Sequence, residues 1–385
     1  GAGSRVIPFG RPWISDEDRL GVQEVLRGNI LTHGPQGKAF EEAFAGFMGS
    51  GTNAVSVSSC MAALHLSYLQ LGIGFGDHVI IPAMTHTATA HAVELVGARP
   101  IFVDPEPATG NLTADRIAAA LTPETKAISV VHFLGIPCDM PSIMDVAQSR
   151  GLQVIEDCAL AVGARFRGIH VGLFGDTGCF SFYPVKHLTT GEGGMFVTRH
   201  SQMAESVARL RGFGVDRSYS ERATPGMYNV PHLGLNYRMS EMQAALGRTQ
   251  MRRIHENLGR RKSNFEELKL ALGELPDVDI LDAKNSDYLS SHYCLSLVLR
   301  GSLRGYRNEI IGRLKESGIG TSVYYPHPVP RLRYYADKYG YDSAEYPVAS
   351  QISDHSIALP VGPHLEGDDV EVITRVVAAS LKGVC

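Results

Sequence analysis

The fold is indicated by one stretch of the chain, Ser181-Phe182-Tyr183-Pro184-Val185-Lys186-His187-Leu188-Thr189-Thr190-Gly191-Glu192-Gly193-Gly194-Met195. It contains an apolar strand, a single lysine with apolar flanks and then a glycine-rich turn. Burial lowers the pKa of a lysine and makes its amine nucleophilic, which an enzyme that forms a Schiff base requires. A surface lysine in a hairpin is the alternative, and the apolar flanks fit that alternative poorly. The turn at residues 191–194 precedes a strand and does not open a helix, so it is not a dinucleotide-binding loop.

On both sides of this stretch, short apolar runs alternate with helix-like segments. The predicted strands are Ala54–Ser58, His78–Ile81, Pro100–Val103, Ala127–Val131, Gln153–Glu156, Gly178–Phe182 and Met195–Thr198. The predicted helices between them are Met61–Leu71, Thr113–Ala120 and Pro141–Arg150. Strands that are apolar on both faces and separated by helices predict a mostly parallel sheet covered by helices. Such a sheet places its chemistry at the carboxyl ends of its strands.

The flanking regions predict two domains, in keeping with a length of 385 residues. Ser15–Arg27 has the pattern of a capped helix, residues 212–234 form a loop long enough to cover a site, and Ser240 caps a helical pattern that runs to Leu272. The rest of the chain contains a strand-like segment and two helix-like segments, Tyr293–Leu299, Tyr306–Ser317 and Asp368–Ala379. We therefore predict a large α/β domain over residues 5–255 and a small C-terminal α+β domain over residues 256–385.

The composition argues against several classes of protein. There are 36 Lys and Arg residues against 40 Asp and Glu residues, whereas a nucleic-acid-binding protein usually has an excess of basic residues. No apolar run is long enough to span a membrane, and no signal-like segment opens the chain. The cysteines form neither a CxxC pair nor a zinc-like spacing with histidine, so we expect reduced thiols in a cytoplasmic protein without a metal site. They are Cys60, Cys138, Cys158, Cys179, Cys294 and Cys385.

Two candidate sites follow predicted strands. At Ser59-Cys60-Met61 a strand gives way to a helix, and the N–H groups of a helix N-terminus can hold a phosphate, although Ser59 can equally be a simple cap. At Glu156-Asp157 two carboxylates end an apolar strand, and alternation directs only one of them into the ligand crevice. A carboxylate buried there needs a cationic partner, which can be a protonated pyridine nitrogen, a metal ion or an arginine.

A third candidate site ends the long loop. Asn236 and Arg238 either bind a phosphate or form hydrogen bonds with carbonyl groups of the loop, and the sequence leaves both open. His86 and His91 are a poor helical pair for one metal ion, and no third ligand is evident.

Together these segments resemble the DegT/StrS-type sugar aminotransferases, fold-type I enzymes that use pyridoxal 5′-phosphate (PLP). The resemblance extends from Gly10-Arg11-Pro12 to Leu359-Pro360 and is most specific at the lysine segment. It implies that Lys186 carries PLP as a Schiff base, that Asp157 pairs with the pyridine nitrogen and that His86 lies over the ring. It also implies that Ser59, Cys60, Met61 and Ser181 hold the phosphate. Asn236 would reach the phosphate in the neighbouring subunit of a homodimer.

The chain departs from the family pattern at three places. His86 replaces an aromatic ring, and Leu160 replaces a Gln or His near the phenolic oxygen of the cofactor. The segment Tyr325-Pro326-His327-Pro328-Val329-Pro330 lacks the usual histidine. We predict substrate contacts from Tyr183, His187, Tyr325 and His327.

The resemblance implies transfer of an amino group from an amino acid, glutamate or glutamine, to a keto sugar linked to a nucleotide. One alternative is a PLP-dependent sugar dehydratase. Family members that dehydrate can carry histidine in place of the lysine, so Lys186 disfavours this alternative. The other alternative is a PLP-holding regulatory or binding protein without turnover, which the presence of both Lys186 and Asp157 disfavours.

Overall fold

A computed structural model describes residues 5–217 and 221–384. Its helices are α1 (Asp16–Arg27), α2 (Pro35–Met48), α3 (Cys60–Gln70), α4 (Thr87–Leu95), α5 (Ala114–Ala120), α6 (Met140–Arg150), α7 (Ser201–Leu210), α8 (Glu241–Met251), α9 (Ile254–Leu272), α10 (Arg307–Glu316), α11 (Arg333–Tyr339), α12 (Pro347–His355) and α13 (Asp369–Lys382). Its strands are β1 (Asn53–Val57), β2 (His78–Pro82), β3 (Arg99–Val103), β4 (Thr125–Val131), β5 (Gln153–Asp157), β6 (Arg165–Phe166), β7 (Ile169–His170), β8 (Thr177–Ser181), β9 (Gly194–Thr198), β10 (Val278–Ile280), β11 (Tyr288–Leu289), β12 (Leu295–Leu299) and β13 (Ser356–Leu359).

The central sheet has the strand order β1-β9-β8-β5-β4-β2-β3 in the described residues. The pairs from β8 to β3 are parallel, whereas β9 is antiparallel to both of its neighbours. Each of the seven predicted strands overlaps one of these strands. The prediction of a mostly parallel sheet is therefore confirmed, with one reversed strand that follows the lysine segment.

Alternating side chains of the strands enter different cores, which explains why both faces are apolar. In β2, Val79 and Ile81 pack with helix α3 and helix α4, whereas Ile80 packs with helix α5 and helix α6. Under the other end of the sheet, Phe180 and Met195 pack with residues of helix α2 and helix α8. The sheet is thus covered on both faces, as a parallel sheet requires.

The predicted helix from Ser240 to Leu272 is wrong as a single element, because the chain divides it into α8 and α9. Ser240 does form a capping box with Gln243 at its start. At the break, Arg253 donates to Asp18 Oδ2 at 2.9 Å and to the carbonyl oxygen of Trp13 at 2.9 Å. The break lets α8 pack against α1 and α2 while α9 packs against α13.

A second sheet, β10-β12-β13, is antiparallel and packs with α9, α10 and α13 around a separate core. The strand β11 instead pairs with β6 of the preceding region. The domain boundary between residues 255 and 256 stays a prediction.

Three remaining expectations concern the chain as a whole. Among the described residues, no helix combines the length and the apolar character needed to cross a membrane. The five described cysteines are free, and Cys385 lies outside the described residues. An isolated antiparallel bridge between Gly212 and Asn236 joins the two ends of the predicted loop at residues 212–234. Residues 218–220 of this loop also lie outside the described part.

Candidate active site

Lys186 lies between the end of β8 and the start of β9, at the carboxyl edge of the parallel strands. Its side chain is half-buried, and Nζ lies 5.3 Å from the centroid of the Tyr293 ring. Burial lowers the pKa of Lys186 below its usual value, and the charge of Asp157 acts in the opposite direction. The amine is therefore easier to deprotonate than that of an exposed lysine, as nucleophilic attack requires.

The loop that carries Lys186 is held by two helices. Gln250 of α8 accepts from the backbone N–H of Thr189 at 3.0 Å and donates to its carbonyl oxygen at 2.6 Å. Asn257 of α9 donates to the carbonyl oxygen of His187 at 2.9 Å. These buried bonds fix the backbone on the C-terminal side of the lysine.

Tyr293 is held in place beside the lysine. The buried guanidinium of Arg261 donates to the Tyr293 carbonyl oxygen at 3.1 Å, and the Tyr293 hydroxyl lies 2.8 Å from the Tyr324 hydroxyl. Burial raises the pKa of Tyr293, so its phenol is neutral beside Lys186. Tyr293 is not predictable as a site residue from the sequence, since its contact with the lysine is made only in the folded chain.

Glu156 and Asp157, adjacent at the end of β5, have different environments. The Glu156 carboxylate accepts from the Nε2–H of His132 and from the backbone N–H groups of Gly172, Phe174 and Gly175, all at 2.8 to 2.9 Å. These four donors satisfy the carboxylate and hold the segment that precedes β8.

The Asp157 carboxylate lies beside α3 and α4. Its Oδ2 accepts from the hydroxyl of Thr89 at 2.8 Å, and its Oδ1 accepts from the N–H of Ala159 at 3.1 Å. The Sγ atom of Cys60 lies 3.8 Å from Oδ1. Of the two carboxylates, Asp157 is therefore the one available to a cationic ligand.

The N-terminus of α3 meets the glycine-rich turn. Ser59 caps the helix by accepting from the N–H of Ala62 at 3.0 Å. Gly194 pairs with Ser181 in the sheet, and a Cβ on Gly194 would lie 2.5 Å from the Ser59 carbonyl carbon and 2.7 Å from the Cys60 nitrogen. Only glycine allows this approach, which brings Ser181 close to a helix end whose first N–H groups have no intrahelical partners.

The predicted ring-covering residue His86 is the N-cap of α4. Its Nδ1 accepts from the N–H of Ala88 at 3.0 Å, which leaves the proton of a neutral ring on Nε2. The Tyr325 ring packs edge-on against it, with the centroids 5.6 Å apart. Leu160 lies buried in an apolar cluster with Met84 and Phe133.

The other predicted substrate and phosphate contacts lie in different environments. Tyr183 is exposed, and His327 accepts at Nδ1 from Arg331 Nε at 3.0 Å. His187 is buried and donates from Nε2 to the Ser291 carbonyl oxygen at 3.0 Å. Burial holds the pKa of His187 well below its usual value. Asn236 is exposed and accepts from Arg238 Nε at 3.1 Å.

The site residues fit PLP. The helix N-terminus against which Gly194 packs provides donors for a phosphate, and Lys186 provides an amine. Asp157 provides a carboxylate that accepts from Thr89 and Ala159 only, against four donors on Glu156. Within residues 5–217 and 221–384, no three His, Cys, Asp or Glu side chains are grouped to hold a metal ion. The sheet and this site together define a fold-type I PLP enzyme.

Comparison with known proteins agrees with that class. Residues 12–378 match the model of the DegT/DnrJ/EryC1/StrS aminotransferase family. The chain is 35% identical to the spore coat polysaccharide biosynthesis protein SpsC of Bacillus subtilis, over 98% of this chain and 97% of that protein. It is also 35% identical to a UDP-N-acetyl-3-dehydro-alpha-D-glucosamine 3-aminotransferase of Acidithiobacillus ferrooxidans, over 96% and 95% of the two chains.

A solved structure has the same fold. The PMP form of a putative sugar aminotransferase, Spr1654 from Streptococcus pneumoniae, superposes with a TM-score of 0.93 at 28% identity, covering 98% of this chain and 100% of that one. The present chain belongs to the DegT/DnrJ/EryC1/StrS aminotransferase family. This membership confirms the predicted fold class, the predicted class of PLP-dependent sugar aminotransferase and the predicted cofactor. The dehydratase alternative is not favoured.

Proposed function

We propose that this protein transfers an amino group from glutamate or glutamine to a keto sugar carried by a nucleotide, with PLP attached to Lys186. The single observation that carries the assignment of residues is the position of the half-buried Lys186 in the loop that follows β8, which pairs with the end of β5 that carries Asp157. A nucleotide-linked substrate is supported by the name of the relative from Acidithiobacillus ferrooxidans, which acts on a UDP-sugar.

Bound PLP supplies an electron sink for the carbanion left when the α-carbon of the amino donor loses its proton. Lys186 would hold the cofactor and then, as a free amine, move this proton from the α-carbon to C4′. Proton transfer of this kind typically contributes about 10²- to 10⁴-fold to a rate. The lowered pKa of Lys186 suits this role, because the free amine must be unprotonated to accept the proton.

Asp157 would hold the proton of the pyridine nitrogen, which keeps the ring electron-withdrawing. The N–H groups at Cys60 and Met61 and the hydroxyls of Ser59 and Ser181 would hold the phosphate. His86 and Tyr325 would form the wall over the ring, with Tyr183, His187 and His327 as candidate sugar contacts.

A homodimer with shared sites is supported by the surface around the long loop. Large apolar side chains are exposed there, including Leu31, Phe213, Met227 and Leu233, of which Leu233 is 94% exposed. A second copy of the chain would cover them, since contiguous exposed apolar patches mark interaction sites. Asn236, which lies on this surface, would then reach the phosphate of the partner's cofactor. We expect the enzyme in the cytoplasm, where nucleotide sugars are made.

The test is turnover by the purified protein with PLP, glutamate or glutamine, and a panel of UDP- and dTDP-linked keto sugars. An amino-sugar nucleotide, identified by mass spectrometry and formed in step with 2-oxo acid, is the expected product. A product that has lost a hydroxyl group without gaining nitrogen would contradict the proposal. The same would hold for binding of every sugar without any turnover.

A further inference from the structure

The Asp157 carboxylate is held through a chain of two buried threonines. Thr89 is fully buried on α4, and its hydroxyl donates to Asp157 Oδ2 at 2.8 Å. The hydroxyl of Thr85, which is 2% exposed, lies 3.0 Å from that of Thr89. Because a carboxylate only accepts and Thr89 has one hydroxyl proton, Thr85 is the donor to Thr89. The order is therefore Thr85 to Thr89 to Asp157.

This arrangement differs from the usual behaviour of threonine in helices. A helical threonine commonly bonds the carbonyl group three or four residues before it. Thr89 instead bonds a carboxylate 68 positions away in sequence, on β5. Helix α4 is itself anchored, because His91 Nδ1 lies 2.6 Å from the buried Tyr335 hydroxyl. The donor to Asp157 is thus a fixed one.

The two oxygens of Asp157 are held from different sides. Oδ2 is bonded to α4 through Thr89, and Oδ1 is bonded to the turn after β5 through Ala159. Two bonds at opposite oxygens fix the rotation of the carboxylate plane. A hydrogen bond to a ring N–H depends on that plane, because the donor prefers the lone-pair directions of the oxygen.

We propose that Thr89, supported by Thr85, is a positioning residue that sets the plane of Asp157 toward the pyridine nitrogen. The proposal rests on the proposed function in which Asp157 faces that nitrogen. Thr89 does not itself touch the reacting atoms. The Thr89 hydroxyl restricts rotation of the Asp157 carboxylate. The hydrogen bond that Thr85 donates to this hydroxyl polarises it and so strengthens the bond that Thr89 donates to Asp157.

The test compares four variants of the holoenzyme. Thr89→Val removes the hydroxyl at nearly constant volume, Thr89→Ser keeps it, and Thr85→Val removes only the supporting donor. The matched control is Thr177→Val, since Thr177 is equally buried on β8 and its hydroxyl has no partner among the described residues. All four are compared with wild type by kcat, KM, melting temperature and the pH titration of the bound cofactor's absorbance.

We expect Thr89→Val to lower kcat about 10- to 100-fold, in line with loss of a hydrogen bond to a charged group. KM should change by less than about 3-fold, because the substrate contacts are intact. The midpoint of the absorbance titration should move to higher pH. A pyridine ring that is less protonated withdraws less electron density from the nitrogen that joins the cofactor to Lys186, so this nitrogen keeps its own proton to a higher pH. Thr89→Ser should restore both values, Thr85→Val should show a smaller change in the same direction, and Thr177→Val should show none.

The outcomes separate this proposal from the proposed function. Wild-type kcat and an unmoved titration midpoint in Thr89→Val, with activity lost in Asp157→Asn, would overturn the positioning role alone. Full activity in Asp157→Asn would instead overturn the proposed function. Should Thr89→Val fail to fold, Thr85→Val decides: a shifted midpoint supports the proposal, and an unshifted one overturns it.

Discussion

Gly194 lies so close to Ser59 that a side chain on the glycine would overlap the backbone at the start of α3. The ideal Cβ position is 2.5 Å from both the carbonyl carbon and the carbonyl oxygen of Ser59. This contact joins the glycine-rich turn after Lys186 to the helix end proposed to hold the phosphate. It explains in physical terms why the turn contains glycine at this position.

The first prediction is that Gly194→Ala weakens PLP binding as well as lowering stability. The methyl group must displace the backbone at residues 59 and 60, and overpacking of this kind costs roughly 1–3 kcal/mol. Because residues 59 and 60 begin the helix proposed to hold the phosphate, the dissociation constant of PLP should rise about 10-fold or more in a titration of the apoenzyme. Gly46→Ala is the control, since a Cβ there meets nothing within 4 Å. Unchanged affinity in Gly194→Ala would remove the phosphate from this helix end.

The second prediction separates the two carboxylates of β5. Glu156→Gln should destabilise the protein by roughly 1–3 kcal/mol or more, because an amide nitrogen replaces an oxygen that accepts buried N–H groups. Asp157→Asn should lower the melting temperature less and abolish most turnover, because a neutral amide does not hold the ring proton. Thermal melts and initial rates of both variants check this. A stable, active Asp157→Asn together with a stable, inactive Glu156→Gln would exchange the two roles.

The third prediction concerns the pH dependence of stability in the absence of PLP. Burial lowers the pKa of Lys186, so the unfolded chain binds this proton more tightly than the folded chain. The wild type therefore gains stability as pH rises from the lowered pKa to the usual lysine value. Methionine has no such proton, so Lys186→Met should raise the melting temperature most at neutral pH.

The gain in melting temperature of Lys186→Met over wild type should shrink as the pH approaches 10. Thermal melts of both apoproteins between pH 6 and pH 10 measure this gain directly. Lys126→Met, at an exposed position, should show no such trend. A gain that grows with pH would contradict the burial of the Lys186 amine.

The fourth prediction tests the shared site. Lys186→Ala and Asn236→Asp homodimers should each be inactive, the second because a carboxylate repels the phosphate. After subunit exchange, a heterodimer has one site with both changes and one site with neither. Activity should return to about half of wild type per heterodimer, by counting intact sites in a two-fold dimer. No recovery, with exchange verified by native mass spectrometry, would place Asn236 and Lys186 in the same site of one chain.

Much of the fold follows from local patterns. The strands of the central sheet are predictable because each is apolar on both faces, and α1 is predictable because Ser15 and Asp18 form a capping box. The helix α2 was missed, since its N-cap Gly34 has no side chain to make a capping hydrogen bond and only Pro35 at its first position indicates a start. The reversal of β9 was also missed, because strand direction depends on the path of the lysine loop and not on the strand's own composition.

The site is predictable only in part, for the same reason. Lys186 stands out in sequence by its apolar flanks and the glycine-rich turn that follows. Which of Glu156 and Asp157 faces the ligand is decided by distant groups, namely the N–H donors at residues 172–175 and the hydroxyl of Thr89. The ring of Tyr293 beside the lysine arrives from the second half of the chain. Contacts of this range leave no local pattern.

The most direct test of the central claim is to locate the cofactor on the chain. The holoenzyme is reduced with borohydride, digested and mapped by mass spectrometry, with Lys186→Ala as the control protein. We predict that the phosphopyridoxyl group is found on the peptide that contains Lys186 and is absent from the control. Quantitative labelling of Lys126 instead, or equal labelling of Lys186→Ala, would contradict the account.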